Sequence, residues 1–347
     1  MIKSITPLKD ATIYEQYNNR NTGMDSIIEL NHDTTYNTTS RFLLKFNTDE
    51  IRNITNNKQN VRYVLKLYTA EQYELPTSFN VNIYPLSQAW DMGIGKFHDT
   101  HETTTGVSWD DSGQTDWINS GTTHHTEYSF NSGGGSWNTN HVSTCNFNYN
   151  TTEAEFDVTN IANEWLSGSI DNHGVIIKLE NEYDLGYPLE LKYFSTESHT
   201  IYQPKLFISY DDFNYDSGSI EQVNSKDITI SIKNLRNNYK QTDITKMNLH
   251  VRERYVQRTY NLNNEYLLNY HLPIKSYYSI IDGSSETIII PFSDYTQISL
   301  NKTDINHFIL DMNNFYPERH YKIIFKVIWD DFEENIYDNN FYFKIER

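Results

Sequence analysis

The side chains here that could do chemistry are histidines, paired acids and clustered tryptophans. His98 and His101 with Glu102 have ligand-like spacing, and His124-His125 follows in the same Gly/Thr-rich region. A transition-metal site needs imidazoles or carboxylates that converge, with partners behind them. This spacing falls on predicted loop, where it says little about convergence, so no metal ligand is assigned. Acids pair at Asp110-Asp111, with Asp116 nearby, at Asp211-Asp212 and at Asp330-Asp331. A glycosidase needs two carboxylates at a set separation across a cleft, and adjacent strand residues point to opposite faces. The spacing also fails the twelve-residue calcium loop. Turns and caps are the ordinary reading, with an irregular structural Ca²⁺ site as the one cofactor to consider. There is no G-x-S-x-G, no GxxxxGKS/T and no HExxH. No serine stands in a recognisable nucleophile setting, and catalysis has no candidate residue. The chain is expected not to be an enzyme.

Four of the six tryptophans, Trp90, Trp109, Trp117 and Trp137, fall within residues 87–150. Trp109 and Trp117 lie amid Asp110, Asp111, Gln114 and Asp116, a mixture of rings and hydrogen-bonding groups that suits sugar stacking. Such rings also anchor loops short of aliphatic residues, or form interfaces, where Trp is enriched. Anchoring or interface use is the favoured reading. A structureless loop of this length is unusual inside a compact domain. The segment is therefore read as an elaborated loop region, held by its tryptophans over one end or edge of a sandwich. Arg252-Glu-Arg254 with Arg258 reads as a solvated or salt-bridged strand face.

The elements around these residues are mostly strands. Phe42, Leu44 and Phe46 alternate with Arg41 and Lys45, and Val61, Tyr63, Leu65 and Leu67 alternate with Arg62 and Lys66. One helix is predicted from Asp157, a cap for its first turn. Val158, Ile161, Ala162, Trp165 and Leu166 give its apolar face, and Gly168 stands where a left-handed C-terminal residue is wanted. The polar, acidic segment 210–219 marks a domain boundary, giving domains at 1–213 and 214–347. Beyond it, Ile228, Ile230 and Ile232, then Tyr321, Ile323, Phe325 and Val327, alternate with polar residues. Short strands at such intervals predict a second, immunoglobulin-like sandwich. The last strand, with Phe341, Phe343 and Ile345, is expected to be an edge open to pairing with a partner.

Composition excludes several classes. A formal net charge of -18 argues against free-standing nucleic-acid binding, because that affinity rests on neutralising phosphates. Hydrophobic residues make up only 37%, and 27 Tyr and 17 Phe must supply the missing core bulk. The single Cys145 excludes an internal disulfide. No signal-peptide h-region and no membrane-length apolar stretch is present.

The run Asp157-Val-Thr-Asn-Ile-Ala-Asn-Glu-Trp-Leu-Ser-Gly168, followed by Gly174-Val-Ile-Ile-Lys-Leu179, Tyr193-Phe-Ser-Thr and Pro204-Lys-Leu-Phe-Ile-Ser-Tyr210, resembles the DNRLRE family. These are jelly-roll-like domains related to carbohydrate-binding modules. Ala11-Thr-Ile-Tyr14, Asn21-Thr-Gly23 and Ser40-Arg-Phe-Leu-Leu-Lys-Phe46 look like the family's opening strands. The likeness covers about residues 1–213 and implies an all-β, N-terminal jelly-roll sandwich with one short helix. Trp90-Asp-Met-Gly-Ile-Gly95, Thr105-Gly-Val-Ser-Trp109, Gly133-Gly-Gly-Ser-Trp137 and Tyr316-Pro-Glu-Arg-His-Tyr321 are similar to a full-length group of virion structural proteins of contractile-tailed marine phages. That resemblance implies a virion protein made in the host cytoplasm, a tail, neck or baseplate adaptor touching other virion proteins and copies of itself. The alternatives are a capsid decoration protein and an adhesin contacting host surface glycan. No nucleic-acid or membrane partner is expected.

Overall fold

The computed structural model describes residues 1–73, 75, 78–101, 103–118, 124–125, 133–148, 153–255, 269–303, 305–330 and 332–347. The protein is all-β, built as β-sandwiches. It divides into two compact units, Ser4–Asn57 with Val61–Ile208, and Met1–Lys3, Lys58–Asn60 and Ser209–Arg347.

In chain order the first strands are β1 (Ile2–Ile5), β2 (Lys9–Tyr14), β3 (Ile27–Asp33) and β4 (Thr38–Lys45). Helix α1 (Thr48–Thr55) and the long β5 (Gln59–Tyr73) follow. Then come β6 (Ser78–Pro85), the two-residue β7 (His124–His125) and β8 (Trp137–Asn138), β9 (Ser143–Asn148) and β10 (Glu153–Asp157). Helix α2 (Thr159–Ser167) leads into β11 (Val175–Leu179), β12 (Leu189–Phe194) and β13 (Lys205–Asp211).

Two layers result. One runs β2-β4-β11-β6-β9 and the other β3-β12-β5-β13-β1, with β10 also paired to β5. Among the described residues they join at the β3–β4 hairpin, through His32↔Thr39 and Asp33↔Thr38. Phe42 and Leu44 of β4 and Ile177 of β11 are fully buried, as are Leu30, Leu67 and Tyr193 of the other layer. The Phe42 and Tyr193 rings meet across the gap with centroids 5.9 Å apart. The alternation of Phe42 and Leu44 with Arg41 thus has its core face where the sequence put it.

The helices show one agreement and one omission. In α2, Ile161, Ala162 and Trp165 are buried, and Gly168 closes the helix at φ 78°. Asp157 is the last residue of β10, and Val158 takes the N-cap position without a side-chain bond. The Asp157 carboxylate still accepts from the first-turn Thr159 N–H, at 3.1 Å. Helix α1 was not expected, since Ile51 is its one buried side chain and leaves no apolar stripe. Its signal lay in the Asn47 cap, which accepts from Asp49 and Glu50 N–H at 3.0 and 3.4 Å, ahead of an acidic first turn.

The second unit has β14 (Ile228–Ile232), β15 (Asn238–Lys240), β16 (Ile244–Glu253), β17 (Ser276–Asp282) and β18 (Ile288–Ile290). It closes with β19 (Ser299–Asn301), β20 (Ile305–Asp311), β21 (His320–Ile328) and β22 (Glu334–Glu346). The sheets run β14-β16-β20-β19 and β15-β22-β21-β17-β18. This order is immunoglobulin-like, with A-B-E-D facing a sheet in which G, F and C are neighbours. Tyr321, near the start of β21, supports that assignment. Its hydroxyl donates to Tyr316 C=O at 3.2 Å and accepts from Tyr316 N–H at 2.8 Å, the corner bond typical of such sandwiches.

The expected open edge at the C-terminal strand is corrected. β22 pairs with β21 along most of its length, and its end pairs in parallel with β15 through Asn238↔Lys344, Tyr239↔Ile345 and Lys240↔Glu346. Phe343 and Ile345 are fully buried and Phe341 packs partly against the same core. Sequence alternation identified the strand but could not show that β15 would cover its other side.

Candidate functional site

The four tryptophans come together, but inward. Trp90, Trp109, Trp117 and Trp137 are each 2–3% exposed and pack with Ala11, Ile13, Leu43 and Ile176 on the outer face of the β2-β4-β11 layer. The Trp90 indole N–H donates to His173 C=O at 2.9 Å, and that of Trp117 to Ser108 C=O at 3.1 Å. No face of these rings is left for a sugar or a partner protein, so both uses are withdrawn for them. They anchor the loop region instead.

That covered face holds buried charge. Arg41 lies between the Trp109 and Trp137 rings, at 4.6 and 5.1 Å, and donates to Glu182 through Nε at 2.9 Å and Nη2 at 2.6 Å. Nη1 donates to Gly134 C=O at 2.6 Å, and Lys178 Nζ stands 3.3 Å from the same Glu182 carboxylate. Alternation alone would put Arg41 in water, but the Gly/Trp segment covers it.

The glycine motifs are packing devices of the same region. The Asn21 side chain is buried, donates to Met92 and Val107 C=O at 2.8 Å each, and accepts from Gly95 N–H at 2.8 Å. A Cβ at Gly93 or Gly95 would collide with Asn21, and one at Gly106 with Gly93. Gly93 and Gly106 also have φ of +77° and +111°, where a side chain is strained. The motifs that stand out in the sequence therefore hold the loop closed.

The other candidates do not assemble. Glu102 and the side chains of His124 and His125 lie outside the described residues, as do Arg258 and Asp331. Among the described residues no three His, Cys, Asp or Glu side chains are grouped to hold a metal ion. Asp110 accepts from Asn18 Nδ2 at 2.7 Å, while Asp111 and Asp116 pair as a backbone bridge. These acids serve turns.

A groove that the sequence did not reveal lies on the outer face of the second layer of this unit. Its floor comes from alternate residues of β3, β12 and β5, whose partners point to the core. Register places Lys192 opposite Glu29 on one side and Glu71 on the other, with Glu190 opposite Asn31. Lys192 Nζ contacts Glu190 Oε1 at 2.8 Å and Glu71 Oε2 at 3.4 Å. These two carboxylates hold the Lys192 pKa above its usual value.

One wall is aromatic. Phe97 sits 4.8 Å from the Tyr14 ring and 5.1 Å from Tyr17, and His98 meets it edge-on at 5.2 Å. Its position is locked by backbone bonding, because both Asp25 carboxylate oxygens accept from Phe97 N–H at 3.2 Å. Burial pushes the Asp25 and Glu29 pKa values up, and Tyr14 donates to Glu29. The depression bounded by Phe97, Glu29 and Lys192 measures about 420 Å³. A second, of about 530 Å³ and bordered by Asn31, Thr34 and Pro188, shares Glu190 with it. Both volumes are in the range of small-ligand clefts, and since they share Glu190 we treat them as one trough, with the Phe97 ring on one wall and hydrogen-bonding groups on its floor. The one early signal was alternation in Glu29-Leu-Asn31 and Glu190-Leu-Lys192, which becomes a site only when the strands pair.

Residues 1–94 match the model of carbohydrate-binding module family 96. No curated protein matches the chain. Among solved structures, a DUF4785 family protein from Legionella pneumophila is similar at 9% identity and a TM-score of 0.21, over all of this chain. The chain spans 65% of the length of that protein.

Proposed function

We propose that this chain is a non-catalytic glycan-binding protein and that the trough across β3, β12 and β5 receives the sugar. The observation that carries this reading is the pairing of the Phe97 ring wall with a floor of Glu29, Glu190 and Lys192. A pyranose has an apolar face to lay on a ring and equatorial hydroxyls to bond with carboxylates, amides and ammonium groups. The match to a carbohydrate-binding module model supports it, because residues 1–94 contain Tyr14, Asp25, Glu29, Asn31 and Glu71 of the trough. Carried on a virion, as the resemblance to phage structural proteins implies, such a protein would be an adhesin for host surface polysaccharide. The immunoglobulin-like unit would then join it to the particle.

Glycan-array binding of the full chain tests the reading, followed by titration calorimetry on any hit. Phe97→Ala is expected to weaken binding about tenfold, the equivalent of ~1.4 kcal/mol for a lost ring contact, with the circular dichroism spectrum retained. Unchanged affinity in that variant would move the site elsewhere. Quantifying the chain in density-purified particles tests the virion setting separately, and absence from them removes that setting.

A further inference from the structure

In β21 the side chains of Tyr321, Ile323, Phe325 and Val327 fill the core of the second unit, so Lys322, Ile324, Lys326 and Ile328 stand on the opposite face of the sheet. Register sets Ile281 and Tyr277 of β17 beside Lys322 and Lys326, with Tyr342 and Ile336 of β22 on their other side. Ile288 of β18 lies opposite Ile281. Ile336, Ile288 and Tyr342 are 63%, 59% and 44% exposed, which makes this outer face a broad apolar surface in water. The other sheet of the same unit turns Thr229, Ser231, Asn248, His250 and Arg252 outward instead. An apolar outer face is thus particular to one side of this sandwich.

We propose that this face, spanning β22, β21, β17 and β18, is a self-complementary contact on which a second copy of the chain packs. The argument for that occupant is charge. The lysines of β21 lie in one row, and the charged residues of β22 over residues 334–342 are the acids Glu334 and Asp338. Lys322 pairs with Asp338, and Lys326 Nζ stands 3.6 Å from Glu334 Oε2. A two-fold axis running along the strands, between β21 and β22, lays β21 of each copy over β22 of the other. Register then sets Lys326 over the partner's Ile336, between the partner's Glu334 and the partner's Asp338. A two-fold across the strands would stack lysine row on lysine row, so charge selects the first arrangement. Such a contact is isologous, each copy giving the same surface. Two chains of formal net charge -18 repel one another, and facing rows of opposite sign offset that at the point of contact. The isoleucines between the rows supply the area removed from water. This inference is independent of the glycan reading.

Sedimentation velocity of the full chain across the micromolar range is expected to show a monomer passing to a dimer. Lys326→Glu sets acid over acid and should raise the dimer's dissociation constant about hundredfold. Adding Glu334→Lys to that variant exchanges the two signs and should restore the parent value to within about threefold. Ile336→Ser, at an exposed position, should weaken the dimer with its thermal melting curve retained, which tells a lost contact from lost folding. A parent that stays monomeric overturns the inference and leaves the face to a partner of another kind. A dimer indifferent to Lys326→Glu and Ile336→Ser overturns it too, because the copies would then join elsewhere. A loss that the sign exchange does not repair removes the charge pairing, and the proposal with it.

Discussion

Glu182 lies between two buried cations, Arg41 and Lys178, and all three side chains are within 2% of full burial. Removing one partner of such a group leaves the other charges desolvated and unpaired. Glu182→Gln should therefore destabilise the protein by about 3–5 kcal/mol in urea denaturation. A change below about 1 kcal/mol would mean that water reaches the pair. Glu29 gives the opposite case. Burial raises its pKa, so the folded chain keeps the proton at pH values where the unfolded chain has lost it. Stability then falls as pH rises from the ordinary carboxylate range through the raised value, and the cost is complete above it. Glu29→Gln removes that titration. Its melting temperature should exceed that of the parent at neutral pH, with the advantage vanishing below about pH 4. An advantage equal at both ends would rule out ionisation as the cause. Neither role was legible in the sequence, since Arg41 looked solvated and Glu29 was one acid among many.

At the scale of elements, strand alternation carried most of the fold. Phe42, Leu44, Tyr321 and Ile323 all face a core, as their period of two required. What it could not carry was the covering of faces and edges. The outer side of β4 is closed by a segment 50–95 residues further along the chain, and β22 is flanked by β15 from the opposite end of its own unit. Phe343 tests the second case. It is 1% exposed, with the Tyr239, Phe315 and Tyr321 rings each 5.7 Å away. Phe343→Ala should cost about 3–5 kcal/mol, the range for a large ring removed from a core. An exposed docking strand would lose almost nothing, so denaturation of this variant separates core from edge. The trough belongs here too, because its floor comes from strands far apart in sequence that become neighbours only in register.

Taken whole, the chain divides its conspicuous and inconspicuous residues in an unexpected way. The tryptophan and glycine motifs that caught attention are internal scaffolding, while the trough is lined by ordinary acids, one lysine and a phenylalanine. A chain with a formal net charge of -18 also meets polyanions with a repelling field well before contact. The parallel pairing of β15 with the end of β22 has a mechanical consequence. Asn237 C=O accepts from Lys344 N–H at 2.7 Å and Glu346 C=O from Gln241 N–H at 2.9 Å, flanking three paired residues on each strand. Tension carried along the chain through this unit pulls those two strands in opposite directions and loads the bonds together, in shear, instead of peeling them singly. Rupture under load then requires those bonds to fail together and not one at a time.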